Sequence, residues 1–191
     1  ALRWYPDDVM LMAMPNFHLV GTGLSVQSLY NGSTVSVLPT LDPAKTLQTI
    51  QRDRPTICAL VPTAIQMLLD HPDAARTDFS SLRLLMYAGS PINVSLLRRA
   101  LAEMKCKFMQ FYGATESSGA VTLLRPEQHD LENEAQLKSC GTPLPLINVK
   151  IVDGAGREVP QGVTGEFLVR TPSVFTRDWN QTVGTGEVLS D

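Results

Sequence analysis

The sequence is poor in the residues that build redox, metal or membrane devices. Its three cysteines, Cys58, Cys106 and Cys140, stand far apart, with no C-x-x-C pair and no histidine at metal-ligand spacing. That pattern excludes a disulfide framework and a zinc knuckle, and the three read as buried or free thiols. No wholly apolar run exceeds six residues, Val9 to Met14, against the roughly 20 that a membrane helix needs. Positive charge is not in excess. Sixteen Lys+Arg against 19 Asp+Glu leave −3 with the three histidines neutral, so nothing favours a nucleic-acid partner. The first ten residues, ALRWYPDDVM, lack the zones of a signal peptide. The sequons at Asn31, Asn93 and Asn180 therefore read as accidental and the chain as cytoplasmic. There is no internal repeat and no low-complexity tract.

What is present suits a packed core. Hydrophobic residues make up 43% of the 191 positions and charged residues 18%, which argues against a disordered chain. A domain of roughly 150 residues can bury about 70% of its unfolded surface, so length alone allows a complete small enzyme.

Between Thr34 and Tyr112 short apolar runs alternate with helix-length amphipathic stretches, the pattern of a parallel sheet with crossover helices. Thr34 to Leu38 reads as a strand. Asp42-Pro43 supplies an N-cap and a first-turn proline, and Ala44, Leu47 and Ile50 share the inner face of the helix that follows. Thr56 to Val61 is a second strand. Pro62 opens a helix with Ile65, Leu68 and Leu69 inward, which ends before Pro72. After the polar loop DAARTDFSS, Arg83 to Tyr87 is a third strand, broken by Ala88-Gly89-Ser90-Pro91. Asn93 caps a helix whose Val94, Leu97, Leu101 and Met104 form one stripe, and Lys107 to Phe111 is the fourth strand. Right-handed crossovers place the loops after strands three and four on the same edge, the carboxyl edge, where ligands bind in such sheets.

Beyond residue 138 the pattern changes. Ile147 to Val152 and Glu166 to Arg170 are β-like, separated by the turn-rich DGAGREVPQGVTG with no helical stripe. The stretch from Arg125 to Ser139 reads as a polar surface loop. The expected fold is thus α/β: a mainly parallel sheet with crossover helices over 1–125, then a linker and part of a small β subdomain over 126–191.

Gln110-Phe111-Tyr112-Gly113-Ala114-Thr115-Glu116, where the fourth strand ends, is the most informative segment. It offers an aromatic face, a glycine that admits close backbone approach, a hydroxyl for a phosphate oxygen and a carboxylate for a hard cation. Such a set suits a magnesium-bound nucleotide. The same residues would also serve an ordinary strand-to-loop turn, with Tyr112 in the core and Thr115 and Glu116 solvated.

The segment resembles the Tyr-Gly-x-Thr-Glu hallmark of the adenylate-forming superfamily of acyl-CoA synthetases, nonribosomal-peptide adenylation domains and beetle luciferases; Tyr112, Gly113, Thr115 and Glu116 match it. The resemblance implies Tyr112 against adenine, Thr115 on the phosphates and Glu116 on Mg²⁺, with Thr115 and Glu116 as the catalytic pair. Tyr87-Ala88-Gly89-Ser90-Pro91 is similar to the family's Gly-Ala-Pro-type loop beside the adenylate, implying nucleotide contacts from Gly89, Ser90 and Pro91 as well as from Gln110, Phe111, Tyr112, Gly113 and Thr115. Pro15-Asn16-Phe17-His18-Leu19-Val20-Gly21 resembles the Pro-x-Phe-His-x-x-Gly segment. His18 is then a lining residue of the acyl pocket, with no acid–base role. Cys140-Gly141-Thr142-Pro143, NVKIVD and Gly165-Glu166-Phe167-Leu168-Val169-Arg170 resemble scaffold segments in the family's order.

Departures from the family carry weight too. No Ser/Thr/Gly-rich phosphate loop precedes Pro15. The Thr-Gly-Asp expected after Trp179-Asn180 is not reached by Asp191, and Thr185-Gly186-Glu187 falls too early to stand for it. The lysine-bearing carboxy-terminal domain is missing. Adenylation needs these groups, because a carboxylate attacking a phosphate must overcome anion repulsion. The expectation is a fragment of an ATP-dependent acyl-activating ligase, inactive alone. Its parent would use ATP (held as AMP), Mg²⁺ and coenzyme A on a small carboxylic acid, fatty or aromatic, with a homo-oligomer allowed. A noncatalytic nucleotide- or acyl-binding module of the same fold is the alternative. Apolar surface should be left exposed or covered by another copy.

Overall fold

The computed structural model describes residues 3–180, 185, 186, 188 and 189. Glu187 and Asp191, which bear on the Thr-Gly-Asp question, lie outside the described residues. The chain divides into one unit of Ala1–Tyr112 with Thr122–Thr142 and a second of Gly113–Val121 with Pro143–Asp191.

A seven-stranded sheet in the order β2-β1-β3-β4-β5-β6-β7 carries the fold. Its strands are β1 (Val9–Met12), β2 (Thr34–Val37), β3 (Ile57–Leu60), β4 (Leu84–Tyr87), β5 (Lys107–Ala114), β6 (Gly119–Leu124) and β7 (Thr142–Pro143). The four pairings β1 with β2, β1 with β3, β3 with β4 and β4 with β5 are all parallel. The expected α/β class with a mainly parallel sheet is what the chain forms.

The crossover helices are α1 (Leu19–Tyr30), α2 (Pro43–Asp53), α3 (Pro62–Asp70) and α4 (Val94–Met104). Capping explains where two of them start. Asp42 accepts the Lys45 amide at 2.9 Å and Asn93 accepts the Ser95 amide at 2.8 Å, each satisfying a donor that the first turn leaves unpaired. α2 and α4 end on left-handed Arg54 and Lys105. Leu47 and Ile50 of α2, Ala64, Ile65 and Leu68 of α3, and Leu97, Ala100 and Met104 of α4 pack with Leu11, Cys58, Leu85, Tyr87 and Phe108 from one sheet face. Ala44 is exposed rather than inward. Thr46 and Thr49 share the buried side of α2 with Leu47 and Ile50, the Thr46 hydroxyl donating to the Asp42 carbonyl at 2.7 Å. Burial pushes the Cys58 and Cys106 thiols up to about 12, so both are inert neutral thiols.

Two central elements depart from the sequence-based expectation. Val9–Met14, considered there only as too short for a membrane, supplies β1, whose Met10, Leu11 and Met12 are wholly buried. α1 buries only Gly21 and Ser28. It leaves Val26, Leu29 and Tyr30 at 60%, 65% and 90% exposure. The Arg125–Ser139 stretch is also more than a loop. It holds a short 3-10 turn at Pro126–Gln128 and the helix α5 (Glu134–Leu137), with Leu137 buried and Leu131 packed on the core.

In the second unit β8 (Asn148–Val152) and β9 (Glu166–Arg170) form an antiparallel ribbon, Asn148 opposite Arg170 and Val152 opposite Glu166. Among the described residues no helix is long and apolar enough to cross a membrane.

Candidate functional site

Parallel register decides which loops can meet a common ligand. Tyr87 sits opposite Gln110 across β4 and β5, Leu60 opposite Tyr87 across β3 and β4, and Met12 opposite Ala59 across β1 and β3. The chain therefore leaves β1, β4 and β5 at one edge, the carboxyl edge. The segment leading to His18, the loop Ala88–Pro91 and the residues Phe111-Tyr112 all begin there. With neighbouring strands about 4.8 Å apart, the first of these starts two strands away from the Ser90 loop.

The Ala88–Pro91 loop is open to solvent at Gly89, Ser90 and Pro91, and Ile92 anchors it in the core at 8% exposure. Gly89 lies at φ +88°. β5 runs on past Phe111 to Ala114, so Tyr112 and Gly113 lie in the strand rather than in a loop after it, because β6 continues the ladder. Only four residues join β5 to β6, too few for a parallel crossover, and the Ser118 amide closes the turn on the Thr115 carbonyl at 2.9 Å. Gln110 and Phe111 are half-buried and Tyr112 is 44% exposed.

Within the second unit, a Cβ on Gly113 would stand 2.0 Å from the Gly119 carbonyl oxygen, so this position in the hairpin admits no side chain. Ser117 takes the structural role in the turn, its hydroxyl donating to the Ala114 and Gly119 carbonyls at 2.9 and 2.8 Å. The Phe175 amide donates to the Glu116 carbonyl at 2.7 Å. That leaves the Thr115 hydroxyl and the Glu116 carboxylate exposed, with no hydrogen bond or ion pair to another side chain among the described residues.

His18 is the N-cap of α1 and its ring, like that of Phe17, is exposed; the two rings lie 4.7 Å apart. Gly21 has a packing reason of its own. A Cβ there would be 2.2 Å from the Pro15 carbonyl oxygen, so the glycine lets the first turn of α1 press on the Pro15 bend.

Two clusters were not singled out from the sequence. Asp8, 3% exposed, accepts from Arg83 at Nε (2.8 Å) and at a terminal nitrogen (2.6 Å), from the Thr56 hydroxyl (2.6 Å) and from the Tyr5 amide (2.8 Å). The guanidinium also lies 5.1 Å over the Tyr5 ring. Burial raises the Asp8 pKa, but the Arg83, Thr56 and Tyr5 hydrogen bonds outweigh it and hold the carboxyl below its ordinary value. This network lies at the amino ends of the strands, beside a cleft of about 300 Å³ lined by Arg3, Arg83, Lys107, Arg125 and Glu127 among others. The cleft touches none of the motif residues. The second cluster joins the buried Tyr87 hydroxyl to His129 at 3.0 Å. Neither leaves a local sequence signal, since the partners are 75 and 42 positions apart.

The model of the family described as AMP-binding enzyme matches residues 1–177. The chain is 32% identical over 190 residues to the fatty acid--[acyl-carrier-protein] ligase ScoC of Streptomyces coeruleorubidus, covering 100% of this chain and 36% of that protein. It is 34% identical over 189 residues to the medium/long-chain-fatty-acid--CoA ligase FadD8 of Mycobacterium tuberculosis, covering 99% of this chain and 32% of that one. Among solved structures it superposes on the O-succinylbenzoate coenzyme A synthetase MenE of Bacillus subtilis in complex with ATP and magnesium ion. There the TM-score is 0.81 and the identity 26%, over 96% of this chain and 37% of that chain. The chain belongs to the AMP-binding enzyme family, the adenylate-forming ligases. It spans about a third of the length of the curated relatives it matches, and is a fragment of such an enzyme.

Proposed function

We propose that the complete protein carrying this chain joins a carboxylic acid to ATP and then passes the acyl group to a thiol, coenzyme A in the first instance. A carboxylate oxygen forms a bond to the α-phosphorus as the bond to pyrophosphate breaks; thiolate sulfur then bonds to the acyl carbon and AMP leaves. The observation that carries this reading is the register of β1, β3, β4 and β5, which sends three separate motif segments off one sheet edge.

Residue chemistry supports the roles. Gly89, Ser90, Pro91, Phe111 and Tyr112 would hold the adenylate, Gly113 keeping the hairpin free of a side chain. The Gln110 Oε1 is buried with no donor among the described residues, a cost that a nucleobase amino group would relieve. Thr115 offers its hydroxyl to phosphate. Glu116 offers a carboxylate with no ion pair among the described residues, which suits a hard metal; Mg²⁺ there would supply charge compensation for the phosphates. His18 would line the acyl side. ScoC and FadD8 are named for a carrier protein and for coenzyme A as acceptors, and for fatty acids, while MenE is named for an aromatic acid. Fatty and aromatic acids are therefore the substrates to test, in a cytoplasmic enzyme.

The test is pyrophosphate release by the complete protein with ATP, Mg²⁺ and a panel of fatty and aromatic acids, followed by thioester formation on added coenzyme A. The expected result is carboxylate-dependent release from the complete protein and none from the 191 residues alone. AMP binding without pyrophosphate release for any acid would instead mark a noncatalytic binding module. Release by the isolated chain would overturn the assignment of essential groups to the rest of the protein.

A further inference from the structure

A tyrosine at 1% exposure in an apolar core needs a partner for its hydroxyl, where phenylalanine would need none. Tyr87 finds His129, 3.0 Å from hydroxyl oxygen to Nε2, with the rings edge-on at 5.8 Å. The other ring nitrogen settles the proton positions. His129 Nδ1 is 2.9 Å from the Arg125 carbonyl, which can only accept, so Nδ1 carries the hydrogen and Nε2 has the lone pair for the Tyr87 hydroxyl. Burial lowers the His129 pKa, against backbone contacts to Arg125 and Pro126 and the field of Glu127, and keeps the ring in this neutral form. Across the core, Phe108 of β5 faces Tyr87 at 6.3 Å and contributes no charge.

The placement of this pair gives it meaning. Tyr87 is the last residue of β4 and is followed directly by Ala88-Gly89-Ser90-Pro91. His129 ends the turn after β6, a turn closed by the Gln128 side chain accepting the Arg125 amide at 2.8 Å. It is tied to the core through Leu131 and Leu137. In the sheet order β4-β5-β6 the contact therefore spans β5 and joins the end of β4 to the turn after β6.

We propose that His129 is a positioning residue for the nucleotide loop: by accepting the Tyr87 hydroxyl while fixed to the Arg125 carbonyl, it sets where β4 releases Gly89, Ser90 and Pro91. This rests on the reading of that loop as an adenylate contact. A purely structural clasp would cost stability alone, whereas a positioning clasp acts on the nucleotide and spares the acid.

The experiment uses the complete protein with Tyr87→Phe, His129→Ala, His129→Gln and the double variant Tyr87→Phe/His129→Ala, reading AMP affinity and the KM values for ATP and the carboxylic acid. Tyr87→Phe and His129→Ala should each weaken AMP binding and raise the ATP KM roughly five- to twentyfold, the scale of one buried hydrogen bond. The acid KM should stay within about twofold, and the double variant should be no worse than either single one. His129→Gln, which keeps an acceptor near the Nε2 position, should recover most of the loss. Unchanged AMP affinity in folded Tyr87→Phe, equal losses for ATP and acid, or a Tyr87→Phe protein that does not fold would each overturn the proposal. If the unaltered complete protein binds no AMP, the functional reading itself falls and this inference falls with it.

Discussion

Glu116→Gln should lower ATP–pyrophosphate exchange by the complete protein by roughly 10²- to 10³-fold, the size of effect seen when one group that stabilises transition-state charge is removed. It should leave the thermal midpoint unmoved. The two halves of this expectation come from the same geometry. The Glu116 side chain is exposed and holds no other side chain among the described residues, so the fold loses nothing beyond the few tenths of a kcal/mol usual at surfaces. Its backbone carbonyl, which receives the Phe175 amide at 2.7 Å, survives the change. Glutamine keeps the shape and the oxygen but drops the charge, and a hard divalent cation discriminates between them. The Mg²⁺ concentration for half-maximal exchange should rise in the variant. Exchange within about threefold of the unaltered protein, with an unshifted Mg²⁺ titration, would remove Glu116 from the metal and leave Thr115 to be tested alone.

Asp8→Ala should produce the opposite signature, a large loss of stability with no chemistry attached to it. Removing one member of a buried ion pair costs about 3–5 kcal/mol, because the remaining charge is left uncompensated. Arg83 keeps 35% of its side chain in solvent, so the lower end, about 3 kcal/mol, is the better expectation. The Thr56 hydroxyl and Tyr5 amide lose their acceptor as well. Denaturant unfolding of the 191-residue chain measures this directly, and Asp8→Ala with Arg83→Met in a double-mutant cycle separates the pair from its parts. The pH dependence has a definite sign. The folded Asp8 carboxyl titrates below its ordinary 3.8, so the folded state binds fewer protons than the unfolded chain in that window. Its stabilisation is complete above that value and disappears as the pH falls through the folded pKa. The gap between the unaltered chain and Asp8→Ala should thus be widest near neutral pH and close in strong acid; a gap independent of pH would show that Asp8 acts by packing alone.

Strands of four residues joined by amphipathic helices announce themselves, which is why β2 to β4 and α2 to α4 could be read within a residue or two. Asp42-Pro43, Pro62 and Asn93 mark helix starts by chemistry that acts locally. What escaped notice depends on distance or lacks a period. β1 is a short apolar run with no helical stripe beside it to mark its role. α1 reads LVGTGLSVQSLY, where Gly21 and Gly23 depress helix propensity and the residues buried are a glycine and a serine. β6 was hidden by the attention that Thr115 and Glu116 draw, since their segment looks like a loop until its hairpin partner is known. The motif residues were legible because their chemistry sits within a few positions of sequence. Tyr87 with His129 and Asp8 with Arg83 were not, because nothing near either residue names its partner.

The twelve residues of α1 include no charged side chain, and water faces most of its apolar ones. A helix of that length gains too little from its own hydrogen bonds to persist unaided, and neither charge pairs nor a buried stripe supplement them. Its order is therefore borrowed. In amide hydrogen exchange of the 191-residue chain, α1 should open at far lower free energy than α3 or α4, as a separate cooperative unit. His18 stands at the N-cap position of that helix, so the placement of its exposed ring should loosen with α1 while the β3, β4 and β5 edge still holds.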